Sequence, residues 1–411
     1  MQLANALKNS AVLSLVHIST MGIALLEIPI LARALGAQQY GALLYIQAIT
    51  AIAATFVEFG FNISSARDIA QNSSNSQEIQ NIINRTNSAK TILYFLAALP
   101  LLVLIAFQSN NINDFFLLYS ASLTLLLGIG FSPFWYFLGK ERIGTPSIIE
   151  LTIKTTSLLL IFVFIKEPAD MAAALWIYAA CSLANTTIQF AIINKYFRAL
   201  SKSSLNIGLK SLRRDRAIFL YRAPSSISSS ISTFLLGFFS TPTNVALFSP
   251  SEKILKAAHG LSTPVFQVFL APITKIVKTD RRNAISVGTK LVAISFLAST
   301  LGAFFLYTFS TIIIETILGE GYPNAPAILE IAVWALPFKV ATAAICVLIA
   351  IPHRKETISA QSIFVFLACL LVISPLFINL YGAEGMAYSL VLSELIQFLF
   401  TVYFVYRKVI K

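Results

Sequence analysis

The chain has 411 residues, 57% of them hydrophobic and only 12% charged, and a net charge of +12. A water-soluble domain of this size is about one-quarter charged, so the composition excludes a soluble protein that covers its own surface with polar groups. The basic residues sit in short patches between apolar runs, a pattern that orients a chain in a bilayer rather than one that binds nucleic acid.

A helix needs about 20 mostly apolar residues to cross the hydrocarbon core. The runs that qualify are roughly 10–32, 41–66, 91–108, 115–138, 147–165, 171–194, 217–239, 244–270, 285–309, 325–351, 358–378 and 385–406. They are long and do not alternate apolar with polar, which argues against a β-barrel. The first continues as a span and carries no cleavable signal pattern. The expected fold is an all-α integral membrane protein of twelve transmembrane helices.

At about 100° per residue, helical positions sort by face. In the first span Ser10, Ser14, His17, Thr20 and Glu27 share a side. Arg33 follows it, and Glu58 stands alone in the second span. In the fifth, Glu150 and Lys154 are spaced i,i+4, the separation of neighbours on a helix surface. After the sixth comes the basic segment KYFRALSKSSLNIGLKSLRRDR (195–216). It divides the chain into 1–195, a basic linker 196–216, and 217–411. The parts on either side of the linker hold six spans each, an even number, so the second enters the membrane in the same sense as the first. Two parallel six-helix lobes of this kind are a known transporter plan.

In the seventh span Arg222, Ser225, Ser226, Ser229 and Thr233 share one face, with Ile227, Ile231, Leu235 and Phe238 on the other. In the eighth, Ser249, Glu252, Lys256, His259 and Thr263 fall within an arc of about 80°, flanked by Lys253 and opposed by Leu247, Ile254, Ala258, Leu261 and Val265. A charge facing lipid at mid-bilayer costs about 2.5–3.5 kcal/mol on insertion scales, so these faces turn toward protein or water. Lys290, Glu330, Lys339 and Glu394 are isolated charges within later spans.

A cytoplasmic N-terminus puts most of the 30 Lys and Arg inside, among them Arg67, Arg85, Lys90, Lys140, Arg142 and the patch from Lys195 to Arg222. The outer loops then hold only Arg33 and Lys166. This asymmetry puts both termini in the cytoplasm.

Two readings of the embedded charges stand side by side. Arg222, Lys253 and Lys256, joined by Lys154 and Arg33, line a water-filled cavity and attract an anion. His17 and His259 then titrate near neutral pH, and Glu27, Glu58 and Glu252 carry a coupling proton or cation. Alternatively, Glu252–Lys256 and Glu150–Lys154 are intrahelical ion pairs, Lys290 and Lys339 pair with Glu330 and Glu394, and the serine face is a close helix contact. The cysteines Cys181, Cys346 and Cys369 lie within apolar runs and show no metal or disulfide spacing. No catalytic constellation, metal site or cofactor motif is expected.

Four stretches carry a resemblance: PILARALGAQQYGALLY (29–45), FGFNISSARDIA (59–70), PFWYFLGKERIGTPSIIELTIK (133–154) and NVALFSPSEKILKAAHGLSTPVFQVFLAPITKI (244–276). In order and spacing they resemble the polysaccharide biosynthesis flippases of the Wzx type. Phe248 stands where that family often has tyrosine, and Phe131-Ser132-Pro133 stands where it often has a glutamine. The resemblance implies the multidrug/oligosaccharidyl-lipid/polysaccharide exporter superfamily, with two lobes in a V around a central cavity like the MATE transporters. It implies an oligosaccharide on undecaprenyl diphosphate as substrate, moved between leaflets of the bacterial inner membrane. Membrane lipids, H+ or Na+ and other polysaccharide-assembly membrane proteins are the implied partners. The family implies no ATPase domain, and no G-x-x-x-x-G-K-[ST] occurs. A MATE-like drug or organic-cation antiporter is the nearest alternative, although its cavity would be more acidic. A membrane-embedded glycan polymerase or ligase is an alternative of another class. The short outer loops, without histidine or arginine near 310–324, disfavour it.

Overall fold

The computed structural model describes residues 2–107, 111–198, 204–319 and 321–411, with the side chains of 2–15, 17, 18 and 410 outside that description. Among the described residues every regular element is a helix. In hydrocarbon each backbone N–H and C=O needs a partner within its own segment, and long apolar runs meet that need as helices. Nine helices among the described residues are long and apolar enough to cross a membrane.

The first half contains α1 (Gln2–Glu58), α2 (Phe61–Gln71), α3 (Ser76–Ala106), α4 (Ile112–Gly130), α5 (Phe134–Gly139), α6 (Gly144–Phe164), α7 (Met171–Asn194) and α8 (Leu205–Ile227). The second contains α9 (Ile231–Phe239), α10 (Pro242–Gly260), α11 (Ser262–Thr279), α12 (Arg281–Thr308), α13 (Ser310–Leu318), α14 (Ala325–Ala332), α15 (Ala335–Ile345) and α16 (Glu356–Val405). The helices α1 and α16 are each bent, at Gly36 (φ 69°) and Gly382 (φ 58°). Only glycine adopts this backbone without strain, so each long element is two helices joined at a kink.

Three departures from the sequence-based spans have local causes. The third helix begins at Ser76, not near 91, because the Asn75 side chain accepts from the Glu78 N–H at 3.1 Å and caps it early. The fourth span is cut at Phe131–Pro133, since proline disfavours helix in the residue before it. The seventh is cut at Ser228–Ser230, where the Ser228 and Ser229 hydroxyls turn back to the Ser225 and Ser226 carbonyls at 2.8 and 2.7 Å. Neither piece of that span is among the nine membrane-length helices.

Packing divides the chain into two compact units. The first comprises 1–35 and 42–230, and the second comprises 36–41 and 231–411. The sequence-based division falls after the basic segment 196–216; the packing carries the first unit on through α8 to Ser230. In the first unit Ala66, Ile69, Ile79, Ile82, Trp135 and Phe190 form a buried cluster joining α2, α3, α5 and α7. In the second, Ile345, Ile349, Ile358 and Val405 do the same for α15 and α16. Large apolar side chains such as Phe95, Leu99, Phe116, Ile148, Leu301 and Leu376 are more than half exposed, as expected of faces turned to lipid.

Candidate functional site

The first unit encloses a cavity of about 430 Å³ between α1, α4, α6 and α7. Thr20 and Glu27 reach it from α1, seven residues and two turns apart. The Tyr178 hydroxyl of α7 donates to Glu27 Oε2 at 2.8 Å. From α6, Glu150 and Lys154 line the same space and pair at 2.9 Å, each nearly half exposed. Asn185, one α7 stripe below Tyr178 and Cys181, adds an amide. Carboxylates, an ammonium, a phenol and an amide around this volume can hold water and a small ion.

Near this cavity two helix breaks meet around Lys90. Its side chain is 1% exposed and its ammonium donates to the Ser132 carbonyl at 3.1 Å. That carbonyl is left open by the α4–α5 break, and Ser132 also lines the cavity. Glu58, which accepts from Asn62 at 2.7 Å, is close enough to interact electrostatically with Lys90. Lys90 is therefore not a loop charge, as its place before an apolar run suggested. The early start of α3 carries it into the interior.

One end of the unit is closed by charge. Asp68 of α2 receives Arg85 of α3 and, at 3.2 Å, Arg214 of α8. Arg214 also clasps Asp215 through two bonds of 2.9 and 2.8 Å. The hydrogen bond to Asp215 is the largest influence holding the Arg214 guanidinium above its ordinary value. Part of the basic segment is thus bound into the first unit, while Lys210, Arg213 and Arg216 stay exposed.

The second unit buries two carboxylates, Glu252 and Glu394. Glu252 on α10 is 5% exposed, pairs with Lys256 at 3.0 Å and accepts from the Thr233 hydroxyl at 3.1 Å. Thr233 also bonds Ser249 at 3.2 Å. Lys339 of α15 pairs with Glu394 of α16 at 2.8 Å, and Glu252 is close enough to Lys339 to interact with it. Glu252 of the polar face expected on the eighth span is turned inward, but Ile254 on the opposite face of α10 is buried as well; Leu261 and Val265, past the end of α10, are more than half exposed. His259 Nδ1 and the hydroxyls of Ser251, Thr342 and Ser393 are buried without a protein partner among the described residues.

The remaining candidates are dispersed. The side chain of His17 lies outside the described residues. Arg222 is exposed on α8 in the first unit, so the shared face with Thr233 ends at the Ser228–Ser230 break. Lys253 is half-buried on α10. Arg33 lines a separate groove with Lys166. Glu330 accepts from Ser310 at 2.8 Å, and Lys290 is exposed. Tyr178 and Asn185 were missed, though the polar stripe Tyr178, Cys181, Ser182, Asn185 on the sixth span was readable at helical spacing.

Residues 6–277 match a family described as polysaccharide biosynthesis protein. The chain is 27% identical over 400 residues to a protein of Escherichia coli (strain K12) named "Putative O-antigen transporter", covering 94% of this chain and 93% of that protein. A protein of the same name from Shigella dysenteriae is 27% identical over 403 residues, covering 96% and 98%. Among solved structures, the fold resembles the lipid II flippase MurJ in an inward closed conformation, with TM-score 0.72 and 14% identity over 95% of this chain and 87% of that one. It also resembles an inward-facing multidrug resistance MATE family transporter of the MOP superfamily, with TM-score 0.70 and 14% identity over 95% of both.

Proposed function

The chain belongs to the polysaccharide biosynthesis protein family, and from that premise we propose that this multi-pass membrane protein is a flippase for a lipid-linked oligosaccharide. Its substrate is an O-antigen-like repeat unit on undecaprenyl diphosphate, carried from the inner to the outer leaflet of the bacterial inner membrane. The observation that supports this most is similarity over nearly the full length of two proteins named for O-antigen transport. The role is transport rather than catalysis.

In this reading the twelve spans form two six-helix lobes in a V around a central cavity, with both termini in the cytoplasm. Arg222, Lys253 and Lys256 draw the diphosphate into that cavity. Arginine suits a phosphate by its fork of donors, and lysine acts as a point charge. Glu27, in the cavity of the first unit with Tyr178, is the coupling carboxylate for H+ or Na+. His17, Glu58 and His259 are secondary titratable candidates. The pairing of Glu252 with Lys256 and of Lys154 with Glu150 favours positioning roles for Glu252, Glu150 and Lys154.

Deleting the gene and extracting the lipid-linked glycan tests the proposal. Accumulation of an undecaprenyl-diphosphate oligosaccharide on the cytoplasmic side is expected, relieved by the wild-type chain. The double variant Lys253→Ala/Lys256→Ala is expected to remain in the membrane without relieving it. Full relief by that variant removes the two lysines from the substrate path, and no accumulation on deletion sinks the flippase reading itself.

A further inference from the structure

The first unit has a second concavity, a groove of about 360 Å³ lined by Arg33 and Lys166 with Pro29, Ile30, Phe162 and Ile165 as its apolar walls. Among the described residues, no acidic one lines it. It lies at the far end of the unit from the Asp68–Arg214 network. Lys140, just before α6, donates to the Ser73 carbonyl at 2.8 Å near that network. The 21 residues of α6 then carry the chain about 31 Å before Lys166 is reached.

The position makes the pair unusual. Arg33 and Lys166 are the cations that the charge pattern leaves on the side otherwise depleted of them. Retention of two cations there is unremarkable if they are scattered; here both line one groove. Lys166 is also held in place. Its ammonium donates to the Phe162 carbonyl and stands 4.8 Å over the Phe162 ring. The backbone N–H groups of Lys166 and Glu167 donate to Asp170 Oδ2 at 2.8 and 3.1 Å, fixing the turn. Phe162 and Phe164 are 58% and 62% exposed, so an apolar flank runs from the groove into the lipid-facing surface.

A guanidinium and an ammonium at the rim, with apolar wall below, match an amphiphile bearing a phosphate. We propose that Arg33 and Lys166 bind the phosphate headgroup of a membrane lipid in the leaflet at this end of the first unit. The ligand chemistry is a lipid phosphate or diphosphate, and its tail lies along Phe162. Two sources share that chemistry: a resident anionic phospholipid, and a polyprenyl diphosphate. The second rests on the flippase reading, in which this end faces the outer leaflet and the site receives the carrier after translocation.

The test uses the full chain in phosphatidylcholine nanodiscs, with phosphatidylglycerol and undecaprenyl diphosphate titrated separately and binding read by native mass spectrometry. The variant Arg33→Gln/Lys166→Gln is expected to weaken binding by about tenfold or more, since two charge-assisted contacts are removed. The variant Lys290→Gln, an exposed lysine elsewhere, is expected to bind as wild type. A loss confined to undecaprenyl diphosphate assigns the carrier; a loss for both lipids assigns a general lipid-phosphate site, and either result upholds the proposal. Wild-type binding of both lipids by the double variant overturns it. If that variant does not fold, Lys166→Glu is read by the same criterion. Glycan delivery in cells is scored separately. Normal delivery with unchanged lipid binding in the variant sinks this site alone. Failure of the wild type to deliver any lipid-linked glycan, with lipid binding lost in the variant, sinks the flippase reading alone.

Discussion

In the first unit Glu27, Glu150 and Lys154 surround a cavity of about 430 Å³, and the Glu150–Lys154 pair is nearly half exposed. In the second, Glu252 and Glu394 are 5% and 2% exposed, each held against a lysine. The chemistry is the same and the surroundings differ. A solvated pair contributes about 1 kcal/mol or less, because water and side-chain entropy offset the attraction. Removing one partner of a buried pair leaves an uncompensated charge and costs about 3–5 kcal/mol. Glu252 and Glu394 of the second unit therefore fix helix packing, whereas the Glu150–Lys154 pair of the first remains available to water and ions.

That contrast is broken or sharpened by substitutions of decreasing effect. Lys339→Met strands Glu394 in the interior and is expected to lower stability by about 3–5 kcal/mol, read by thermal unfolding of the purified protein. Lys339→Met/Glu394→Met is expected to recover most of the loss, and a stable single variant would remove the packing role. Glu252→Gln keeps a polar group beside Thr233 but releases Lys256, and a loss of about 1–3 kcal/mol is expected. Exchanging the two residues, Glu252→Lys/Lys256→Glu, is expected to restore much of it. Lys154→Gln in the first unit is expected to cost about 1 kcal/mol or less; a loss as large as that at Lys339 would erase the distinction. Glu27→Gln is expected to change stability least, because the amide still accepts from Tyr178. It is also expected to abolish the response of glycan delivery to an imposed H+ or Na+ gradient. An unchanged gradient response would exclude Glu27 as the coupling group.

Local periodicity carried much of this. The i,i+4 spacing anticipated the Glu150–Lys154 and Glu252–Lys256 pairs. Lys339–Glu394, separated by 55 residues, was reachable as a pairing because isolated charges within apolar runs seek each other. Three features were hidden for stated reasons. Lys90 sits beside an apolar run, and only the Asn75 cap and the carbonyl left open at Ser132 make it an interior residue. The seventh span reads as continuous because serine is not a strong breaker in composition. Its hydroxyls at 228 and 229 nonetheless compete with the helix for backbone carbonyls. The α1 and α16 bends depend on single glycines whose positive φ no hydropathy window registers.

The cavity lined by Glu27, Glu150 and Lys154 in the first unit is open to water, whereas the surroundings of Glu252 and Glu394 in the second are sealed from it. Thiol labelling tests this claim most directly. Cys181 lines the first cavity, and Ser251 is fully buried in the second unit. In a background with Cys346→Ala and Cys369→Ala, Cys181 is expected to react with a small charged methanethiosulfonate in the folded protein. With Cys181 also replaced by alanine, a cysteine introduced by Ser251→Cys is expected to react only after unfolding. Equal labelling of the two positions in the folded protein, or labelling of the second alone, would contradict the claim.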